Sequence, residues 1–254
     1  MFSLKIIVYN IINIINIINI INIIMSNLSF KTIIENSTNT QNIGYYIIHL
    51  EKATERLDTI HKLQHDLNTP IITFPAADGY EIVKNGHPTT CQERGSPHTR
   101  GAGCIGCTVS HINICKEAIA KGQEYAVIFE DDCVFASTLD SFQNIMNQFA
   151  SLQLPFDLFT LGYSPVSALP VHDSVFSKIN RFNGTYGSLL SQTFMKKLVD
   201  LYEKYYNNNT TLSIDTMYSN VIEQYNMNAY GITNPSTYFS HKDGMYSYVI
   251  EKIR

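Results

Sequence analysis

The sequence predicts an α/β fold with a mostly parallel sheet flanked by helices, on three observations. From about residue 42, apolar runs of strand length alternate with amphipathic stretches of helix length. Breakers such as Pro70, Ala77-Asp78-Gly79 and Gly122 separate them. The apolar run Tyr125-Ala-Val-Ile-Phe129 then ends abruptly in Glu130, Asp131 and Asp132. Open α/β sheets bind ligands beyond the carboxyl ends of their strands, which is where these three residues fall.

Residues 1–41 stand outside that pattern. Positions 5 to 24 form an Ile tract with Asn at 10, 13, 16, 19 and 22. Its length suits a membrane span. A step of three residues, however, turns about 300° on a helix, so the Asn side chains share no face and would enter lipid unpaired. The same step breaks strand alternation. The tract is expected to be a dispensable low-complexity extension, with Met25 as an alternative start. A signal or membrane anchor is the disfavoured alternative. Residues 42–254 are assigned to the functional domain.

Within that domain, Gly44–Leu50 reads as the first strand. Thr54 is placed to cap a helix with Leu57, Ile60, Leu63 and Leu67 on one face. Ile71–Ala76 makes the next strand, and residues 80–104, rich in Gly, Pro and Thr, read as a long surface loop. Ser110 is placed to cap a second helix with Ile112, Cys115, Ala118 and Ile119 inward and Gly122 at its end. After the carboxylate strand come a helix over Asp140–Phe149 and a strand over Phe156–Leu161. The small-residue stretch Gly184–Ser191 enters a helix over Phe194–Tyr205, and Asp215 lies near the start of another. Ala229–Phe239 is strand-rich and is followed by His241-Lys-Asp-Gly244.

Composition narrows the function. At 254 residues, 44% apolar with 16 Tyr and 13 Phe, the chain can fill a sizeable core. A net charge of −4 gives no nucleic-acid-binding surface. The five cysteines (91, 104, 107, 115 and 133) have irregular spacing and no disulfide pattern. They are expected to be structural thiols in a reducing, cytoplasmic compartment. Cys104-Ile-Gly-Cys107 lacks the second pair a closed zinc site uses. His61 and His65 read as a wet helix face. Asn36, Asn183 and Asn208 each open a glycan-acceptor pattern.

Glu130, Asp131 and Asp132 repel one another and resist burial, so the end of a core strand can hold them only with a counter-charge. A divalent cation supplies one. A solvated acidic turn is the alternative reading, and these residues alone leave both open.

Five segments in order add a resemblance. They are Tyr46-Ile-Ile-His-Leu with Arg56 beyond it, Pro75-Ala-Ala-Asp-Gly79, Gly103-Cys-Ile-Gly-Cys-Thr-Val-Ser-His111 followed by Tyr125–Asp132, Gly184-Thr-Tyr-Gly-Ser188, and Ser213-Ile-Asp-Thr216. Together they resemble glycosyltransferase family 25, which includes lipopolysaccharide and collagen galactosyltransferases. His49 stands where the family usually has Asn, and Ser188 where it has Tyr.

The resemblance implies a glycosyltransferase A type fold. It also implies a UDP-sugar donor, galactose or glucose, and inverting transfer to a hydroxyl on a glycan, lipopolysaccharide-like or collagen-like acceptor. A divalent cation, Mn²⁺ or Mg²⁺, is implied as cofactor, since oxygen ligands suit such ions and bridged phosphates leave more readily. Asp132 is then the metal ligand, with His241 closing the coordination sphere. Glu130, Asp131, Arg56, Ser110 and Gly184 are donor contacts, with Arg56 facing the diphosphate. Asp215 is the general base, although its position equally suits a helix cap. A binding module that has lost catalysis is the alternative. A nucleotidyltransferase would need a Gly-rich phosphate loop, which Gly44–Arg56 does not supply.

Overall fold

The computed structural model describes residues 28–86, 90–92, 99–171 and 174–241. The Ile/Asn tract and the residues after His241 lie outside them. In chain order the elements are α1 (Phe30–Thr38), β1 (Ile43–His49), α2 (Leu57–Asp66), β2 (Ile72–Pro75), α3 (Gly79–Lys84), β3 (Thr90–Gln92) and β4 (Thr99–Arg100). Then come α4 (Ala102–Ala120), β5 (Tyr125–Glu130), β6 (Cys133–Phe135), α5 (Leu139–Ser151), β7 (Leu158–Pro170), β8 (Phe176–Ser191) and α6 (Gln192–Tyr206). The last are β9 (Thr210–Leu212), α7 (Ile214–Tyr225), β10 (Ala229–Ile232) and β11 (Phe239–His241).

Six strands form the central sheet in the order β10-β7-β8-β5-β1-β2. β1 runs parallel to β2 and β5, and β10 parallel to β7, while β8 is antiparallel to β5, β7 and β10. One strand, β8, therefore opposes the rest, and the sheet is mostly parallel as predicted. Both faces are covered, so its central strands are apolar throughout. Every residue of β1 is buried. Tyr46, Ile48, Ala126 and Ile128 share one core with residues of α4, α6 and α7. Tyr45, Ile47, Val127 and Phe129 share the other with residues of α1, α2 and α5. This two-residue alternation lets one strand feed two cores.

Several expectations need correction. Residues 80–104 are not one loop, because they contain α3, β3 and β4 and lead directly into α4. Helix α4 begins at Ala102, so Ser110 lies inside it and cannot cap it. Two glycines in its first turns disguise the helix, since glycine disfavours helix interiors. Close packing requires one of them. A Cβ on Gly106 would meet the Ala77 carbonyl oxygen at 2.6 Å and the Gly79 nitrogen at 2.9 Å. Thr54 opens a 3-10 turn over Thr54–Arg56, and no side chain caps α2. Leu57 is exposed rather than packed. Cys91 and Cys104 are disulfide-bonded, so the thiol expectation holds for Cys107, Cys115 and Cys133 alone. Because such bonds persist in oxidising compartments, the cysteine argument for a reducing one lapses. Among the described residues, no helix is long and apolar enough to cross a membrane. His61 and His65 are exposed, as expected.

Helix α1 belongs to the core although it precedes residue 42. Ser29 caps it by accepting from the Thr32 amide. Phe30, Ile33 and Ile34 are buried. The Phe30 ring lies 5.2 Å from Phe142, 5.6 Å from Phe129 and 6.0 Å from Phe239. It therefore joins α1 to β5, α5 and β11. Phe30→Ala is expected to cost about 3–5 kcal/mol, as for other buried Phe truncations. A chain started at residue 42 should lose at least as much, and urea unfolding of both variants checks this.

Candidate active site

Parallel pairing of β1 with β5 sets Ile48 beside Glu130, so His49 and Asp131 leave the sheet at the same edge. Beyond β1 the chain folds back through the tight turn Thr54–Arg56, which drives Arg56 inward. Arg56 Nη1 donates to Asp131 Oδ1 and lies 3.7 Å from Asp132 Oδ2. His49 Nδ1 lies 3.1 Å from Asp131 Oδ2. Both oxygens of Asp131 are thus engaged, and Arg56, His49 and Asp131 are all buried. Burial works against the Arg56 charge, but Asp131, with help from Asp132 and Glu55, outweighs it and holds the guanidinium protonated. His49, a departure from the resembled pattern, is in this protein a partner of the central carboxylate.

Glu130 faces α4. Thr185 Oγ1 donates to its Oε1, and His111 Nε2 lies 3.6 Å from the same oxygen. Burial pushes the Glu130 carboxyl up, but His111, the Thr185 hydrogen bond and Arg56 prevail and hold it below the usual range. His111 is fully buried, with its Nδ1 3.0 Å from the Tyr218 hydroxyl of α7. Cys107, one helical turn before His111, completes a group whose ligand atoms lie within 4.8 Å of one another.

Asp132 has the weakest support. Its Oδ1 is buried with no hydrogen-bond partner among the described residues. Burial, then Glu130 and Asp131, push its carboxyl up to about 6, against the pull of Arg56 and His241. Antiparallel pairing of β11 with β6 places His241 opposite Cys133, and so next to Asp132. The Tyr186 ring lies 5.1 Å from the His241 ring. An unsatisfied carboxylate oxygen with an imidazole in its field is donor chemistry that suits a hard divalent cation.

Asp215 sits in the first turn of α7 behind Ser213, so it is not the cap residue. Its Oδ1 accepts from the Thr216 amide at 2.8 Å and its Oδ2 from the Gly184 amide at 3.4 Å. Gly184 adopts a left-handed φ of 77° that favours glycine. Burial pushes the Tyr186 hydroxyl up and a hydrogen bond with Ser164 pulls it down, while the charges of Glu130, Asp132 and Asp215 add to the rise. Ser110 lines the cleft described below and also has a structural part. Its hydroxyl donates to the Gly106 carbonyl at 2.7 Å and accepts from the Ala77 amide at 2.8 Å, pinning α4 to the turn before α3.

An open cleft fronts the cluster of Arg56, Asp131 and Glu130. Lys52, Arg56, Asp78, Tyr80, Glu130 and Asp131 are among its lining residues. Lys52 Nζ sits 5.3 Å above the Tyr80 ring and 3.1 Å from Asp78 Oδ2. Ordinary ligand sites share this mixture of apolar and polar wall. Sequence reasoning missed Tyr80, Thr185 and Tyr186. The last two lie inside the quoted Gly184–Ser188 segment, where strand alternation would have placed Tyr186 on the opposite face from Thr185.

The family described as Glycosyltransferase family 25 (LPS biosynthesis protein) matches residues 42–218. A probable inactive glycosyltransferase 25 family member 3 from Bos taurus is 34% identical over 77 residues, 30% of this chain and 13% of that protein. Procollagen galactosyltransferase 1 from Danio rerio is 36% identical over 69 residues, 27% of this chain and 11% of that protein. The chain thus matches only about an eighth of the length of these relatives. A crystal structure of a glycosyltransferase involved in glycosylation of the major capsid of PBCV-1 superposes with a TM-score of 0.45 at 12% identity, covering 81% of this chain and 94% of that one.

The Asp132 carboxyl keeps its proton up to about pH 6 in the folded chain, against 3.8 when unperturbed. The folded state therefore binds the extra proton between those values, and its stability falls as pH rises through that window. Metal-free protein is expected to melt at lower temperature near neutral pH than at about pH 5. Asp132→Asn should flatten that slope and raise the neutral-pH melting temperature. A calorimetric pH series of both proteins reads this directly.

Proposed function

Because the chain belongs to glycosyltransferase family 25, we propose that it moves a hexose, galactose or glucose, from a UDP-sugar to a hydroxyl of a glycan or protein acceptor. The observation that carries this reading is a buried Asp132 oxygen without a hydrogen-bond partner among the described residues, in the field of His241 and next in sequence to residues that wall a cleft with Arg56. Asp132 and His241 would hold a divalent cation, Mn²⁺ by preference because imidazole suits it better than Mg²⁺. Bound there, it would supply neutralisation of the charge that builds on the leaving diphosphate.

The chain's own residues do the rest. Arg56 and His49 hold Asp131 in place, and this pair, rather than the donor diphosphate, takes up the Arg56 charge. Glu130, kept ionised, accepts a hydrogen bond from a ribose hydroxyl. Lys52, Asp78 and Tyr80 line the outer part of the cleft, where the flat Tyr80 face suits a nucleobase. Asp215 takes the proton of the acceptor hydroxyl as that oxygen attacks the anomeric carbon and the UDP oxygen departs. One displacement inverts the sugar carbon. The two amides that orient Asp215 leave lone pairs on its oxygens for this proton.

A nucleotide-sugar-binding module without catalysis is the second reading, favoured by relatives that carry the word inactive in their names. A panel of UDP-sugars with Mn²⁺ separates the two. Asp215→Asn is expected to lower transfer by about 10²–10⁴-fold, the usual contribution of a general base, while UDP with Mn²⁺ still raises the melting temperature. Asp132→Asn should lose both transfer and that thermal shift. Transfer unchanged by a chelator removes the metal from the mechanism. Thermal stabilisation by UDP-sugars without turnover of any donor supports the binding module.

A further inference from the structure

Three potential metal-binding side chains meet on the inner wall of the cleft. Cys107 and His111 lie four residues apart on α4, so they project from one face. Glu130 reaches them from the end of β5, and the three ligand atoms lie within 4.8 Å of one another. The His111 Nε2 is buried and has no hydrogen-bond partner among the described residues. It points at Glu130 Oε1 from 3.6 Å. Two ligands about 2.1 Å from a tetrahedral ion stand about 3.4 Å apart, so this pair is spaced for a shared ion. The Cys107 sulfur lies within 4.8 Å of both ligand atoms.

We propose that Cys107, His111 and Glu130 form a second cation site, for a thiophilic ion such as Zn²⁺, separate from the Asp132–His241 pair. One thiolate, one imidazole and one carboxylate make a softer set than the carboxylates beside His241, and zinc or cobalt suits it better than manganese. The Tyr218 hydroxyl completes the arrangement from behind. It lies 3.0 Å from His111 Nδ1, where it would accept a hydrogen bond from the Nδ1–H and leave the Nε2 lone pair facing the ion. Thr185 likewise donates to Glu130 and fixes its carboxylate. Cys107 releases its thiol proton to water as the ion binds. The fourth position opens to the cleft, since Cys107 and Glu130 both line it. Glu130 is the one residue shared with the proposed donor contacts, and the site itself does not depend on the transfer reaction.

Cobalt titration of the metal-free full chain tests the proposal without any donor sugar. Co²⁺ bound through a thiolate shows a charge-transfer absorbance in the near ultraviolet. We expect one equivalent of that band, displaced by Zn²⁺, retained in Asp132→Asn and in Cys133→Ser, and lost in Cys107→Ser. Tyr218→Phe should keep the band but weaken cobalt affinity by about 10–100-fold, as loss of a partner behind a metal-bound His does. Absence of the band in the native chain overturns the proposal. So does its persistence in Cys107→Ser, or its loss in Cys133→Ser with Cys107 intact. Melting curves of each variant confirm that the fold is kept.

Discussion

Asp131 is the carboxylate on which the site depends. Three consecutive acids at the end of a core strand would repel one another and leave the sheet edge unstable. Asp131 avoids this because Arg56 and His49 engage both of its oxygens in a buried cluster. With the middle acid fixed, its two neighbours must diverge. Glu130 turns to α4 and Thr185, while Asp132 keeps one oxygen 3.7 Å from Arg56 and the other without a hydrogen-bond partner among the described residues. A buried pair of this kind adds little net stability, but removing one partner strands the other charge at a cost of several kcal/mol. Its value here lies in direction, since it separates the tasks of two adjacent carboxylates.

A second constraint is the contact between α4 and the turn before α3. Gly79 and Gly106 let two backbones touch where any side chain would collide. Ser110 then locks the contact with two hydrogen bonds. That approach fixes the rotation of α4 about its axis. Cys107 and His111 consequently face Glu130, while Ile112, Cys115 and Ala118 enter the core.

The parallel sheet, its main helices and the acidic cluster were legible because each follows from short-range patterning. The unbroken apolar runs of β1 and β5 and the helix read over Asp140–Phe149 needed no tertiary knowledge. The start of α4 was not legible, because glycines that weaken a helix locally are demanded by a distant backbone. The first half of β8 carries Lys178, Asn180, Arg181 and Asn183, and reads as a loop until β7 and β10 supply its partners. Asp132 and His241 were found as separate candidates from the family resemblance, and the register of β11 on β6 makes them neighbours. The Cys91–Cys104 bond had no sequence signature, since two bonded cysteines among five look like scattered thiols. The central place of His49 was hidden for another reason. As a departure from the resembled pattern it looked like a loss, whereas the structure gives it a partner.

The β6–β11 ladder has a consequence for how the site comes into being. Cys133 and Asp132 leave the ribosome long before His241. Strands β1, β2 and β5 with their covering helices can pair early, so the acidic edge exists while its imidazole has yet to be synthesised. During that interval the nascent chain carries Asp132 without its neighbouring imidazole at the rim of an otherwise apolar core. Translation thus imposes an order of assembly. The carboxylates are set first and the imidazole last, so the arrival of His241 beside β6 marks the point at which this stretch of chain has folded through to β11.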